Sequence, residues 1–349
     1  MVEYAEDIDD VLRRFAELET LQGKRILITG ATGMVGVCLI DLLMAYSRKA
    51  RKPVFILALA RNEDKLLHQF AEYLMEDNFS YVTGDINQGM PQIGGKVDFI
   101  IHAASNSHPI AYAEDPIGTI KTNVIGLDYL LDYAVKESVM RVLFLSSIEI
   151  YGENNLKKER FTESDCGYIN CNTLRAGYPE SKRLGEALCQ AYIRKYGLDV
   201  VIVRLSRVYG ATMQSEDSKV ISQFIRMAAQ KKDIVLKSEG KAKYSFLYVV
   251  DAATAILTVL LKGENGEAYN AADSGSEISI LELAEMAALE AGTKIVFELP
   301  EETESSGYSN IQKSLMCEEK LKNLGWKPST ALKEGFCKTV REIRRKSIV

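Results

Sequence analysis

Tyr178 and Lys182 stand four residues apart in Gly177-Tyr178-Pro179-Glu180-Ser181-Lys182, which enters an apolar-periodic segment of helical character. On a helix that spacing places both side chains on one face, a turn apart. An ammonium held beside a phenol favours the phenolate and lowers its pKa, which suits acid–base work at neutral pH. Ser147 closes the strand that begins Leu143-Phe144-Leu145 and is placed to share a hydroxyl of a bound molecule with Tyr178. A Tyr-x-x-x-Lys pair also arises by chance on helix surfaces. Its meaning depends on what the rest of the chain supplies for it to work on.

That partner is read from the elements before it. Residues 25–29 form a short apolar strand, followed at once by Gly30-Ala31-Thr32-Gly33-Met34-Val35-Gly36 and an apolar helix over 37–46. Strand, glycine triplet and helix in this order make a dinucleotide site. The first glycine permits the tight turn, the second lets backbone approach a pyrophosphate, and the third allows close helix–strand packing. A second strand, 54–60, ends in Arg61-Asn62. A carboxylate near this point commonly takes the ribose hydroxyls of NAD, whereas an arginine accommodates the 2′-phosphate of NADP. Arg61 therefore leans toward NADP+ and reads equally as a solvated surface arginine, which leaves the choice from NAD+ open.

A third strand over 80–86 carries Asp85 and Ile86 at its end. A fourth over 97–105 ends in the small residues Ala103, Ala104 and Ser105, over which a flat cofactor can slide. His102 beside them reads as a core histidine. A helix from about Asp115 carries Asn123, and a further buried strand covers 200–205. Strands alternating with helices at this rhythm predict an α/β fold, a Rossmann-like doubly wound parallel sheet. Past 205 the alternation loosens into helices at 219–230 and 280–291 and a polar loop around 301–309. This predicts a smaller, discontinuous α+β substrate lobe. The expected division is a helical extension over 1–22, with Ile8, Val11, Leu12, Phe15 and Leu18 on one stripe, and a dinucleotide-binding domain over 23–204. Residues 243–272 would return to that domain, and 205–242 with 273–345 would form the lobe.

Composition bounds the function. The chain has 349 residues, 47% apolar and 26% charged, with a net charge of −5, an ordinary globular balance without the basic footprint of a nucleic-acid binder. Its apolar runs are far short of a membrane span, and its acidic start lacks the pattern of a signal peptide. Six cysteines without a CxxC pair and three histidines offer no zinc constellation. The expectation is a reduced, cytoplasmic protein that uses no metal.

Taken together, these pieces resemble the extended short-chain dehydrogenase/reductase family, in its NAD-dependent epimerase/dehydratase branch, over roughly residues 23–340. Gly30–Gly36 is similar to its GxxGxxG turn, and Gly84-Asp85-Ile86 to its adenine-side aspartate. His102-Ala103-Ala104 resembles its HxAA strand end, Asn123 with Gly126 its helix asparagine motif, and Ser147, Tyr178 and Lys182 its Ser/Thr–Tyr–Lys set. Arg204 to Gly210, Phe246 to Asp251 and Leu324-Gly325-Trp326-Lys327-Pro328 are similar to its later landmarks.

The resemblance implies a nucleoside-diphosphate sugar as substrate, a homodimer built on the helices over 115–135 and 178–196, and a shared opening step. Tyr178 as phenolate takes the sugar C4 hydroxyl proton while hydride leaves C4. Lys182 lowers the tyrosine pKa and holds the ribose, and Ser147 positions the hydroxyl. Ser147-Ile148-Glu149-Ile150-Tyr151-Gly152 resembles the T-x-E-x-Y-G pattern of 4,6-dehydratases and glucuronate decarboxylases. There Glu149 would act as acid/base at C5, which the ketone makes labile; it also reads as a carboxylate facing solvent. Two positions depart from those sub-branches: Ile148 replaces the dehydratases' aspartate, and Tyr244, after Lys243, replaces the decarboxylases' arginine. Arg207 and Lys219 are the candidates to supply positive charge to the substrate, with Ser105 and Ser147 as its polar contacts. The activity expected is transient C4 oxidation followed by chemistry at the adjacent carbon. A simple 4-epimerase, an NADPH-dependent carbonyl reductase and a non-catalytic dinucleotide sensor are the alternatives.

Overall fold

The computed structural model describes residues 2–107, 109–154, 158–298 and 312–346; the polar segment 301–309 lies outside them. In chain order the strands are β1 (Arg25–Thr29), β2 (Phe55–Ala60), β3 (Phe79–Thr83), β4 (Phe99–His102), β5 (Arg141–Ser147) and β6 (Val200–Leu205). Then follow β7 (Arg207–Tyr209), β8 (Ile234–Leu236), β9 (Lys243–Tyr248), β10 (Ala268–Ala271), β11 (Glu277–Ser279), β12 (Ile295–Phe297) and β13 (Lys313–Ser314). The helices begin with α1 (Val2–Arg14), α2 (Met34–Ser47), α3 (Glu63–Gln69), α4 (Pro109–Glu114), α5 (Pro116–Lys121) and α6 (Leu127–Lys136). They continue with α7 (Gly177–Tyr196), α8 (Val220–Ala229), α9 (Val249–Lys262), α10 (Ile280–Ala291), α11 (Glu319–Lys322) and α12 (Leu332–Lys346).

Seven strands form one parallel sheet in the order β10-β6-β5-β4-β1-β2-β3. Central strands such as β1 and β6 are apolar and buried along nearly their whole length, as expected where helices cover both faces. The chain leaves β1 toward β2 and β3, then jumps back to β4 on the other side of β1. The strand order reverses there, so a crevice opens beyond the carboxyl ends of β1 and β4, where ligands of such sheets bind. Gly30 ends β1 with φ +65°, and a Cβ on it would lie 2.6 Å from the Ala103 carbonyl oxygen. Only glycine lets this turn cross the tip of β4 so closely. A Cβ on Gly36 would lie 2.5 Å from the Gly30 carbonyl, which fixes α2 against the same turn.

The helix expected from about Asp115 is interrupted. The Asp115 side chain caps α5, a π-helical turn occupies Thr122–Gly126, and α6 follows. The N-terminal stretch is likewise two pieces: α1 stops before Phe15, and a 3-10 turn over Ala16–Leu21 brings Leu18 and Leu21 into the core. This segment belongs to the main core, since Tyr4, Ile8, Val11, Leu18 and Leu21 are buried in the same cluster as β1 and α2. Asp7 accepts from Tyr248 Oη (2.8 Å) and Lys338 Nζ (2.7 Å), which ties α1 to β9 and α12.

Beyond β6 one expectation is corrected. The run at the start of 243–272 does not return to the large sheet: β9 pairs instead with β7, β11 and β13 in a separate small sheet. Short edge segments on either side of β9 take up its backbone groups, and its apolar run alone does not indicate which sheet does so. The return begins after it, with α9 packed against β5 and β6 and with β10 added beside β6. A second short pair, β8 with β12, completes the lobe beside α8 and α10.

Candidate functional site

A cleft of about 1020 Å³ opens between the carboxyl ends of the large sheet and the lobe. The glycine turn contributes Gly30 and Gly33 to its wall, and the first turn of α2 adds Met34, Val35 and Gly36. Ala103 and Ser105 enter from beyond β4, and Ser147, Glu149, Tyr178, Lys182, Arg207 and Lys219 line the same space. The unpaired N–H groups of the first turn of α2, a helix of 14 residues, therefore face the cleft. A turn that excludes side chains and a helix start behind it fit a pyrophosphate, so the residues present suit a dinucleotide.

Other residues expected at the dinucleotide stand outside that lining. Thr32 and Ala104 are neighbours of lining residues; the Ala104 amide donates to Thr29 Oγ1 (3.3 Å), which joins β4's tip to β1. Arg61 is exposed at the end of β2, and the Asn62 side chain caps α3 by accepting from the Lys65 amide (2.8 Å). The Asp85 carboxylate accepts from the Asn87 amide (3.0 Å), and Ile86 is buried. Asn123 is fully buried in the π-helical turn and donates to Ser181 Oγ (2.9 Å), bracing the start of α7. His102 bonds Thr29 Oγ1 through Nδ1 (2.8 Å), and burial pushes its pKa down to about 3, so it is a neutral part of the core.

The position of Tyr178 is set by the seating of α7. Glu186 accepts from Ser146 Oγ (2.5 Å) and from two nitrogens of Arg204 (2.7 and 3.0 Å), joining α7 to β5 and β6. Arg183 donates to the Ile150 and Gly167 carbonyls (2.7 Å each). These bonds fix the helix whose first turn carries Tyr178, buried and stacked on Tyr112 with ring centroids 5.4 Å apart. Burial holds the Tyr178 phenol above the usual tyrosine value; a hydrogen bond with Ser147 opposes the rise, and the nearby Glu149 adds to it.

The expected depression of Tyr178 by Lys182 is absent. Lys182 Nζ donates to the Leu145 carbonyl (2.7 Å) and lies 4.8 Å from the Phe144 ring centroid, so its charge is taken up along β5. Burial brings its own pKa down to about 7, against the pull of Glu186. Lys182 consequently exchanges its proton near neutrality. Glu149 does not face solvent: Arg175 Nη2 reaches Oε2 at 2.5 Å and Arg207 Nη2 lies 3.4 Å from Oε1. Burial alone would raise this carboxyl, but the two arginines outweigh it and hold it below the ordinary glutamate value. Lys219 is paired with Asp217 (2.6 Å).

The sequence from Ile26 to Ala272 matches the model of the NAD dependent epimerase/dehydratase family. The chain belongs to that family. Among curated relatives, UDP-glucuronic acid decarboxylase 2 of Arabidopsis thaliana is 30% identical over 325 residues, covering 93% of this chain and 69% of the relative. UDP-glucuronic acid decarboxylase 1 of Danio rerio is 30% identical over 92% of this chain and 73% of its own length. The UDP-glucose 4-epimerase of Thermotoga maritima, solved with UDP-glucose, shares the fold with a TM-score of 0.78 at 22% identity, over 93% of this chain and all of its own. The dTDP-glucose 4,6-dehydratase of Streptomyces venezuelae, solved with NAD, is 26% identical with a TM-score of 0.77, over 92% and 97% of the two chains.

Within this family frame, two residues of the cleft went unnoticed in the sequence. Arg175 sits three residues before Tyr178 and meets Glu149, and Tyr112 reaches the site from α4. The i, i+3 spacing to Tyr178 was an available signal for Arg175; nothing local marked Tyr112.

Proposed function

We propose that this protein is an NAD-dependent nucleotide-sugar enzyme that oxidises C4 of the sugar transiently and then acts at the adjacent carbon. The observation that carries the reading is that Ser147 and Tyr178, the latter buried against Tyr112, line the same cleft as the glycine turn. The turn and the start of α2 would hold the pyrophosphate, and the nicotinamide, when bound, supplies a reversible hydride acceptor for C4. Tyr178, once it has given up its own proton, takes the proton of the C4 hydroxyl, with Ser147 sharing that hydroxyl. Lys182, poised near neutrality, relays the proton that Tyr178 gains and loses. Formation of the C4 ketone weakens the bonds at C5, where Glu149 is the candidate acid/base. The solved dehydratase and its NAD support this reading, as do the decarboxylase relatives. Ser105 would contact the sugar, and Arg207 and Lys219 would contribute positive charge to its binding. NAD+ is favoured over NADP+, because exposed Arg61 lies outside the cleft lining. The working form would be a homodimer.

The test is mass spectrometry of products from UDP-, dTDP-, GDP- and CDP-sugars with no reductant added. Loss of water or carbon dioxide, or an isomer of unchanged mass, supports C4 oxidation and identifies the second step. Turnover only with stoichiometric consumption of added NADPH would replace the proposal with a carbonyl reductase.

A further inference from the structure

The segment that joins β7 to α8, residues 210–219, bonds to three helices of the large sheet's side of the molecule. Thr212 Oγ1 donates to the Met34 carbonyl (2.8 Å), at the start of α2 behind the glycine turn. Lys65 of α3 lies 3.1 Å from the Glu216 carboxylate. Ser218 Oγ accepts from the Ile110 amide (3.1 Å) of α4, the helix whose Tyr112 stacks on Tyr178. α2 and α3 follow β1 and β2, and on such sheets the adenosine half of a dinucleotide runs from the glycine turn to the end of β2. Bonded to both helices, the segment spans that half of the site.

Its two ends are fixed and its middle is held loosely. At the near end Ala211, Thr212 and Met213 are buried, and Lys346 Nζ donates to the Ala211 carbonyl (3.0 Å). At the far end Asp217 and Ser218 are buried. Arg226 Nη2 donates to the Asp217 carbonyl and Gln223 Nε2 to that of Ser218 (2.7 Å each). Between these anchors Ser215 and Glu216 are exposed, and Glu216 meets Lys65 through side chains that are 54 and 39% exposed. An exposed ion pair contributes little to stability. It can part and re-form without disturbing either anchor, as a latch must.

We propose that residues 212–218 form a strap that retains the dinucleotide, with Lys65 and Glu216 as its latch and Thr212 as its near anchor. The inference rests on the reading of the glycine turn as a dinucleotide site and adds what sets the time the dinucleotide stays there. With the latch closed, the adenosine half is enclosed between the tips of β1 and β2 and the strap. When Lys65 and Glu216 part, the exposed middle leaves α3 while the anchors hold. The adenosine end then opens without moving Ser147, Tyr178 or Lys182. Retention serves the proposed chemistry directly. A hydride borrowed from the sugar is returned only if the same nicotinamide is still in place, and exchange in mid-turnover would strand the ketone.

The test is exchange of bound NAD+ against isotopically heavy NAD+, followed by mass spectrometry of the protein-bound fraction, with thermal melting recorded in parallel. Lys65→Glu and Glu216→Lys each set like charges against one another at the latch and should speed exchange about two- to fivefold. Combining the two restores opposite charges and should return the rate to near the wild-type value, a rescue that a folding defect does not produce. Thr212→Val, which removes the bond to Met34, should speed exchange about two- to tenfold. A double variant that exchanges no more slowly than the single ones overturns the proposal and assigns the effect to each charge acting on the dinucleotide by itself. Wild-type rates in every variant overturn it too and leave the reading of the site standing. Wild-type protein that holds no NAD+ removes that reading and this inference together.

Discussion

At the scale of single residues, burial sets the protonation of Tyr178 and Lys182, whereas its arginine partners set that of Glu149. Lys182 shows the consequence for stability. Its folded pKa, about 7, lies below the ordinary lysine value of 10.5, so between those values the unfolded chain binds more protons than the folded one. Stability therefore rises with pH through that window, and the cost of burying the charge is full below about pH 7. Lys182→Met is expected to raise the melting temperature at pH 6–7 relative to wild type, with the advantage shrinking toward ~pH 10.5. A difference that is flat with pH would show that Lys182 is not buried in its charged form. Tyr178→Phe keeps the stack on Tyr112 but removes the hydroxyl proposed to exchange a proton with the sugar. Turnover should fall by about 10²–10⁴ while extractable dinucleotide stays at the wild-type level. Ser147, Tyr178 and Lys182 were legible from type and spacing because a strand end and a helix face fix where side chains start. Where they end was not legible: the same i, i+4 spacing fits an ammonium aimed at the phenol and one bonded to Leu145.

At the scale of elements, α7 carries both the chemistry and an unpartnered surface. Its inner face is pressed onto β5: a Cβ on Gly185 would meet the Phe144 ring at 2.7 Å and Leu127 at 3.2 Å. Gly185→Ala is expected to destabilise by roughly 1–3 kcal/mol, read from denaturant midpoints, because the helix must lift off the strand. A neutral outcome would mean that α7 is seated less tightly than these distances require. Its outer face exposes Leu184 and Tyr196, and the neighbouring α5, π-helical turn and α6 expose Ile117, Ile120, Ile125 and Tyr129. These are the segments expected to pair two subunits, and their exposed apolar residues are the ones such an interface would cover. Leu184→Glu combined with Ile125→Glu should convert a dimer to a monomer in sedimentation at micromolar concentration; a wild-type monomer would retire the interface. The parallel strands were readable because burial on both faces leaves continuous apolar runs. The assignment of β9 failed for the complementary reason. A short, largely buried six-residue strand fits more than one sheet, and pairing with β7 and β13 depends on segments far away in sequence.

At the scale of the whole molecule, the N-terminal segment and the cleft are joined by one strand. Tyr244 lies under Arg207 at one end of β9, and four residues later Tyr248 donates to Asp7 of α1. Both side chains leave the same side of a strand, about 13 Å apart at the usual rise. Deleting residues 1–22 would expose the core beneath Tyr4, Ile8, Val11, Leu18 and Leu21, strip Tyr248 of its acceptor and leave Lys338 with Glu334 alone. A melting temperature lower by at least ~10 °C is expected, since each buried side chain of this kind contributes about 1.5–3 kcal/mol. An unchanged melt would make the segment dispensable. Because β9 spans this distance as a stiff rod, ligand capture and N-terminal fraying draw on one shared reserve of local stability. Amide hydrogens of α1, which contributes no residue to the cleft wall, should then exchange with deuterium more slowly when a nucleotide sugar is bound.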